Sequence, residues 1–266
     1  MLTNFHTHTN FSHGKENPEE IVIYAIEKGF SSIGFTGHSY TDFDLSYCMT
    51  DTKGYMAEIN RLKEKYKGKI QIYLGVEEDI FSKERPEGFD YIIGSAHYVK
   101  QGEEYYSIDH TFENVQKALD ALGGSLKLAE SYFDALCGYI EKKKPDIVGH
   151  FDLITKFDEK YPPIFLGDKE YLEIAKKYLK RALKSDPIFE INTGAISRGL
   201  RTKPYPCEEL LYELLKGDGK IILSSDAHQK EHLDFWFKEA KEMLLGIGFK
   251  DTYIINNNRF ERLALK

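Results

Sequence analysis

The residues best equipped to do chemistry in this chain are its nine histidines. Seven of them, His6, His8, His13, His38, His97, His150 and His228, follow short apolar or β-branched runs of the kind that form strands. Glu77 and Asp226 occupy equivalent places. Alternate residues of a strand point to one side, so His6-x-His8 and Asp226-x-His228 each aim two donors at one point. Gly37-His38, Glu77, Ser95-Ala96-His97 and Gly149-His150 each add one more. Any one of these alone reads equally well as a hydrogen-bonded polar residue where a strand meets a loop. Together they read as ligands for metal ions, with Gly37, Gly75, Gly94 and Gly149 letting backbone approach the ions closely.

An ion takes about four to six donors, some shared through carboxylates, so nine ligands call for about three divalent ions. All the donors are N or O, which suits Zn, Mn, Fe or Co. Ions carrying about +6 in total, less about three for Glu77, Asp226 and a bridging hydroxide, leave a positive pocket that suits a dianionic phosphate monoester. The loop Ser197-Arg198-Gly199-Leu200-Arg201-Thr202-Lys203 adds cations, and the planar fork of Arg198 is the best match to phosphate oxygens. His232, a few residues beyond Asp226-Ala227-His228, is a further candidate for substrate contact. Tyr40, Tyr98 and Tyr132 are candidates to stack on a flat substrate group, and His110, at a helix start, reads as a capping or surface residue.

These ligands need strands to carry them. Strand-like runs are predicted at residues 2–6, 32–38, 70–77, 91–97, 146–150, 188–192 and 220–226. Helices are predicted between them: from Pro18, capped by Asn17 and closed by Gly29; over 53–66, ending at Gly68; over 112–144 with a break at Gly123-Gly124; from Gly167-Asp168 to Lys184; over 208–216; and over 232–245. Strands alternating with helices imply parallel pairing and right-handed crossovers. Seven such units with polar residues at the strand C-termini point to an α/β, TIM-like barrel with its site at those ends. A doubly wound open sheet would gather ligands at only one switch point.

The bulk properties fit one enzyme domain over residues 1–266. Lys and Arg number 36 against 43 Asp and Glu, a net charge of -7, which weighs against coating a nucleic acid backbone. Cys48, Cys137 and Cys207 are odd in number and form no C-x-x-C pair, as expected of reduced thiols. The N-terminal residues show no basic, apolar leader and no run is long enough to span a membrane, so a cytoplasmic location is expected.

The ordered series His6-x-His8, His13, Gly37-His38, Glu77, His97, His150 and Asp226-x-His228 resembles the polymerase-and-histidinol-phosphatase (PHP) family, and most closely its histidinol-phosphate phosphatase branch. The resemblance covers essentially the whole chain. It implies a distorted seven-stranded (β/α) barrel with a trinuclear site. By position, His6, His8, Glu77 and Asp226 would hold one ion, Glu77 would bridge to a second held by His97 and His150, and His13, His38 and His228 would hold a third. The chain departs from the pattern at Asn4, where many members carry an acidic residue. The implied activity is hydrolysis of L-histidinol phosphate, a small-molecule phosphate monoester of histidine biosynthesis. It would proceed by metal-assisted in-line attack without a covalent intermediate, with Glu77 and Asp226 as the catalytic carboxylates. A PHP-type nuclease or phosphodiesterase, another small-molecule phosphatase and a non-catalytic metal-binding domain are the competing expectations.

Overall fold

The computed structural model describes residues 1–83 and 87–265. Its strands are β1 (Thr3–Asn4), β2 (Ser32–Phe35), β3 (Gln71–Asp79), β4 (Tyr91–Ser95), β5 (Tyr98–Gln101), β6 (Glu104–Ser107), β7 (Ile147–Val148), β8 (Ile188–Asn192), β9 (Lys220–Ser224), β10 (Asp251–Asn256) and β11 (Arg259–Ala264). Nine of them form one sheet in the order β1-β2-β3-β4-β7-β8-β9-β10-β11, while β5 and β6 make a separate hairpin. Pairing is parallel from β1 to β10 and antiparallel only between β10 and β11.

The sheet is curled. Beyond β1 and β9, Thr7 and Ala227 form a parallel bridge. The His8 amide donates to the Ala227 carbonyl at 2.8 Å, and the Ala227 amide donates to the His6 carbonyl at 3.1 Å. The first and seventh predicted strands therefore meet at their C-terminal ends. At its base β9 pairs with β10 instead, through Ile222 and Tyr253.

The seven predicted strands all lie in the sheet, in chain order, but the strand count is nine rather than seven. The two additions, β10 and β11, turn on Asn257 and Asn258, both left-handed at φ 49° and 59°. Asparagine tolerates that region because its short side chain hydrogen-bonds locally.

The helices among the described residues are α1 (Pro18–Glu27), α2 (Thr52–Lys65), α3 (Phe112–Leu122), α4 (Ser125–Lys143), α5 (Lys169–Leu183), α6 (Gly194–Ser197), α7 (Glu208–Lys216) and α8 (Phe237–Ile247). Asn17 caps α1 in a reciprocal box with Glu20. Gly123 and Gly124, at φ 80° and 115°, break α3 from α4. The predicted last helix begins later than expected: residues 230–232 form a 3-10 turn, and Trp236 adopts a left-handed φ of 63° before α8 starts. No helix among the described residues is long and apolar enough to cross a membrane.

Inside the curl, period-two alternation stacks an apolar layer beneath a polar one. Tyr73 and Glu77 share a face of β3, Tyr91, Ile93 and Ser95 share a face of β4, and Ile188, Glu190 and Asn192 share a face of β8. The apolar members join Phe5, Ile147 and Ile222 in one buried cluster. Tyr91 anchors it, its hydroxyl donating to the Phe5 carbonyl at 2.6 Å. Side chains at Gly34 or Gly75 would collide with the Tyr91 ring. The glycines near the ligand candidates make room for neighbouring side chains: Gly75 for Tyr91, Gly37 for Met49, Gly94 for Tyr139 and Gly149 for Ser95.

Candidate metal centre

The polar layer gathers at the strand C-termini around Glu77, which is fully buried. Its two oxygens face different imidazoles. Oε2 lies 3.1 Å from His6 Nε2, 3.3 Å from His8 Nε2 and 3.0 Å from His38 Nδ1. Oε1 lies 3.3 Å from His97 Nε2 and 3.0 Å from His150 Nε2. Asp226 closes the first group, its Oδ1 3.1 Å from His8 Nε2 and 3.6 Å from His6 Nε2. His13 and His228 stand on the outer side, Nε2 facing Nε2 at 2.6 Å, and the His8 ring packs against both. All nine ligand candidates from the sequence are thus brought into one cluster.

The donor set fits metal ions. Donor atoms of His8, His13, His38 and His228, of His6, His8 and Glu77, and of His38, Glu77 and His97 lie mutually close enough to share an ion. His6 Nε2, both ring nitrogens of His8, His38 Nδ1 and Glu77 Oε2 are buried with no hydrogen-bond partner. Burying so many unpaired polar atoms is costly unless a cation meets their lone pairs.

Electrostatics divides the rings: burial would lower His6 and His97, but Glu190 and Glu77 around His6, and Glu77 and Asp79 around His97, hold both above the ordinary imidazole value. Burial pushes the His38 imidazole down to about 4, with neighbouring His8 adding to that and Glu77 opposing it. Desolvation, then the crowding of His38 and His8, pushes His13 down to about 2. These rings stay neutral, the form in which imidazole binds metal. Burial alone would raise the Glu77 carboxyl, but His38, His6 and His97 hold it well below its ordinary range.

A further set of residues orients the ligands, and the sequence reading missed it. Glu190, buried on β8, sits 2.6 Å from His6 Nδ1 and accepts from the His150 amide at 3.0 Å and from Asn192 at 2.9 Å. Asp79 lies 3.1 Å from His97 Nδ1. Carboxylates behind ligating imidazoles fix the ring orientation and tautomer. The only signal in the sequence is parity: Asp79 and Glu190 fall on the inward positions of β3 and β8. Asn4 plays a different part from an acidic residue. It accepts from the His6 and Ser225 amides and donates to the Ser225 hydroxyl at 2.8 Å, tying β1 to the end of β9.

Asp226 holds a left-handed φ of 47°, a conformation that aspartate tolerates better than most residues. Arg198 lies beside it, Nη2 donating to Asp226 Oδ2 at 3.0 Å and Nη1 to the Asp226 carbonyl at 3.2 Å. Arg201, from the same loop, points away. It is buried against Thr155, Glu159 and the ring of Tyr205. His232 is half-buried and contacts Gln229 and Phe235. Of the three tyrosines, Tyr98 lines a cavity beside the centre, Tyr40 is half-exposed elsewhere, and Tyr132 is buried in the core, donating to the Phe151 carbonyl.

A mostly parallel, curled sheet that converges imidazoles and carboxylates on one end defines a metal-binding α/β protein. The PHP domain family matches residues 4–194, and the chain belongs to that family. A Schizosaccharomyces pombe protein named a probable histidinol-phosphatase is 29% identical over 268 residues, covering 91% of this chain and 85% of that protein. The Bacillus subtilis histidinol-phosphatase is 25% identical, covering 89% of this chain and 97% of that protein. A Lactococcus lactis histidinol phosphate phosphatase, solved in complex with zinc, L-histidinol and phosphate, shares the fold with a TM-score of 0.75. It is 23% identical, and the match covers 98% of each chain.

Proposed function

We propose that this chain is a metal-dependent L-histidinol-phosphate phosphatase, holding about three divalent ions at the ends of a seven-stranded barrel to which β10 and β11 are added. One observation carries the reading: a single buried carboxylate, Glu77, turns its two oxygens to two separate groups of histidines. A bridging carboxylate is what a multinuclear centre needs. The names of the relatives in S. pombe and B. subtilis support the substrate.

In this reading His6, His8, Glu77 and Asp226 hold one ion, Glu77, His97 and His150 a second, and His13, His38 and His228 a third. The ions would supply Lewis acidity and bring the pKa of water down toward neutrality. The chain's own residues do the rest. Glu190 and Asp79 fix imidazole orientation. Arg198 reaches the phosphate oxygens from the Asp226 side. Burial would raise the Asp226 carboxyl, but Arg198, His6 and His228 hold it well below its ordinary value, which favours ligation over proton delivery. His232 contacts the organic part from the rim. Nucleic acid and membranes are not partners in this reading.

The test is phosphate release from L-histidinol phosphate beside other monoesters and a nucleotide diester, before and after chelation. Rapid, chelator-sensitive turnover of histidinol phosphate is expected. Preference for the diester would assign the site to a phosphodiesterase.

A further inference from the structure

The two outermost ligand candidates sit outside the strands. His13 rides on a turn after β1 and His228 on a bend after β9, and their Nε2 atoms face each other at 2.6 Å. Loops place side chains less firmly than strands do, so this pair needs another source of order.

The order comes from contacts between the two loops. The Thr9 carbonyl accepts from the Ser12 amide at 3.0 Å and from the Gly14 amide at 2.9 Å, which closes the turn around His13. Gly14 lies so close to the first strand's extension that a Cβ there would stand 2.5 Å from the His8 carbonyl carbon. The Lys15 amide donates to the His228 carbonyl at 2.9 Å. One side chain completes the staple. Glu16, buried just ahead of the α1 cap Asn17, accepts from the Lys230 amide at 3.1 Å. That amide opens the 3-10 turn at residues 230–232, and an opening amide has no partner within its own turn.

The ion that His13 and His228 would share differs from the other two. Donor atoms of His8, His13, His38 and His228 lie close enough to share an ion, and no carboxylate belongs to the set. Asp226 Oδ2 is bonded to Arg198 instead. A dication on neutral imidazoles lacks the charge compensation that Glu77 gives the inner ions. It should be the weakest bound of the three, and the geometry of its ligands then decides whether it stays.

We infer that Glu16 is a positioning residue for this outer ion: it fixes the loop of His228 against the loop of His13 and holds the two rings in register. The inference rests on the three-ion reading of the centre.

The experiment titrates cobalt(II) into metal-free wild type, Glu16→Ala, Glu16→Gln and His13→Ala. Equilibrium dialysis counts the bound metal and visible absorption reports its coordination. The wild type should take three equivalents, the last most weakly. Glu16→Ala should weaken that last step by about 10-fold or more, the usual cost of losing an orienting partner, and leave the earlier steps unchanged. His13→Ala should remove it. Glu16→Gln should keep it, because the amide oxygen still accepts from Lys230. An unchanged last step in Glu16→Ala overturns the inference, as does a Glu16→Gln variant no better than Glu16→Ala. Equal weakening of every step also overturns it, since that marks a general loss of structure. If the wild type takes fewer than three equivalents, the three-ion reading falls. Glu16 is then judged on the weakest step found: a step lost in His13→Ala and weakened in Glu16→Ala upholds its role, and a step untouched by Glu16→Ala refutes it.

Discussion

His6 Nδ1 lies 2.6 Å from Glu190 Oε1, with both side chains fully buried. The contact joins the second residue beyond β1 to the middle of β8 and leaves Nε2 of the same ring aimed at Glu77 and Asp226. An imidazole with a carboxylate on one nitrogen is a stronger and better-oriented ligand on the other. Glu190→Gln keeps the shape and removes the charge. Activity and metal retention should both fall by roughly 10- to 100-fold, the usual cost of losing such a partner. Normal metal content and kcat would show that Glu190 only fills space.

Glu77 should be the least replaceable ligand, because it serves two histidine groups at once. Glu77→Gln is expected to lose more activity and more metal than His13→Ala, whose ring sits at the exposed edge. Elemental analysis should find about three divalent ions per chain in the active wild type. A fully active protein with about one ion would remove the multinuclear reading. Chelation should also lower the melting temperature, since a ligand that binds only the folded state stabilises it by mass action.

Arg198→Ala should lower kcat/KM by about 10²-fold or more, the scale of one preorganised charge-assisted contact. Arg198→Lys should recover part, because an ammonium cannot make the forked contact. Metal content divides two causes. If it stays constant, the arginine acts on phosphate; if it falls with activity, the arginine acts by holding Asp226. An unchanged kcat/KM would leave phosphate to the ions alone.

Arg201 gives the contrasting case. It is 4% exposed and bound to Thr155 and Glu159. Arg201→Ala should cost roughly 1–3 kcal/mol of stability by removing a buried guanidinium and its contacts with Thr155, Glu159 and the Tyr205 ring, read as a lower urea midpoint. A midpoint equal to wild type would refute that placement.

Most of the ligand candidates were legible in the sequence because they lie at or just past a strand end, which is marked by the run before it; His13, in the turn after β1, and Glu77, inside β3, are the exceptions. The residues behind them were not. Glu190 sits inside Ile188-Phe189-Glu190-Ile191-Asn192, where a glutamate at an alternate position looks like the solvent side of a half-buried strand. Only the curl of the sheet turns that position inward. Glu16 was hidden for the same kind of reason: its contact with the Lys230 amide joins loops 214 positions apart in the chain. The hairpin of β10 and β11 was missed for another reason: its turn is built of asparagines without the glycine that usually marks one.

The bridge between Thr7 and Ala227 also fixes when this protein becomes able to work. Asn4 and Ser225, hydrogen-bonded beside it, are 221 positions apart in the chain. A ribosome delivers His6 and His8 almost at once, yet Asp226 and His228 emerge only after nearly every other element. Until then two histidines at the start of the nascent chain lack their partners, and closing so long a loop is slow. Metal capture between His6, His8 and Asp226 would therefore be a late event in synthesis, joining the first strand of the sheet to one made well after most of the others.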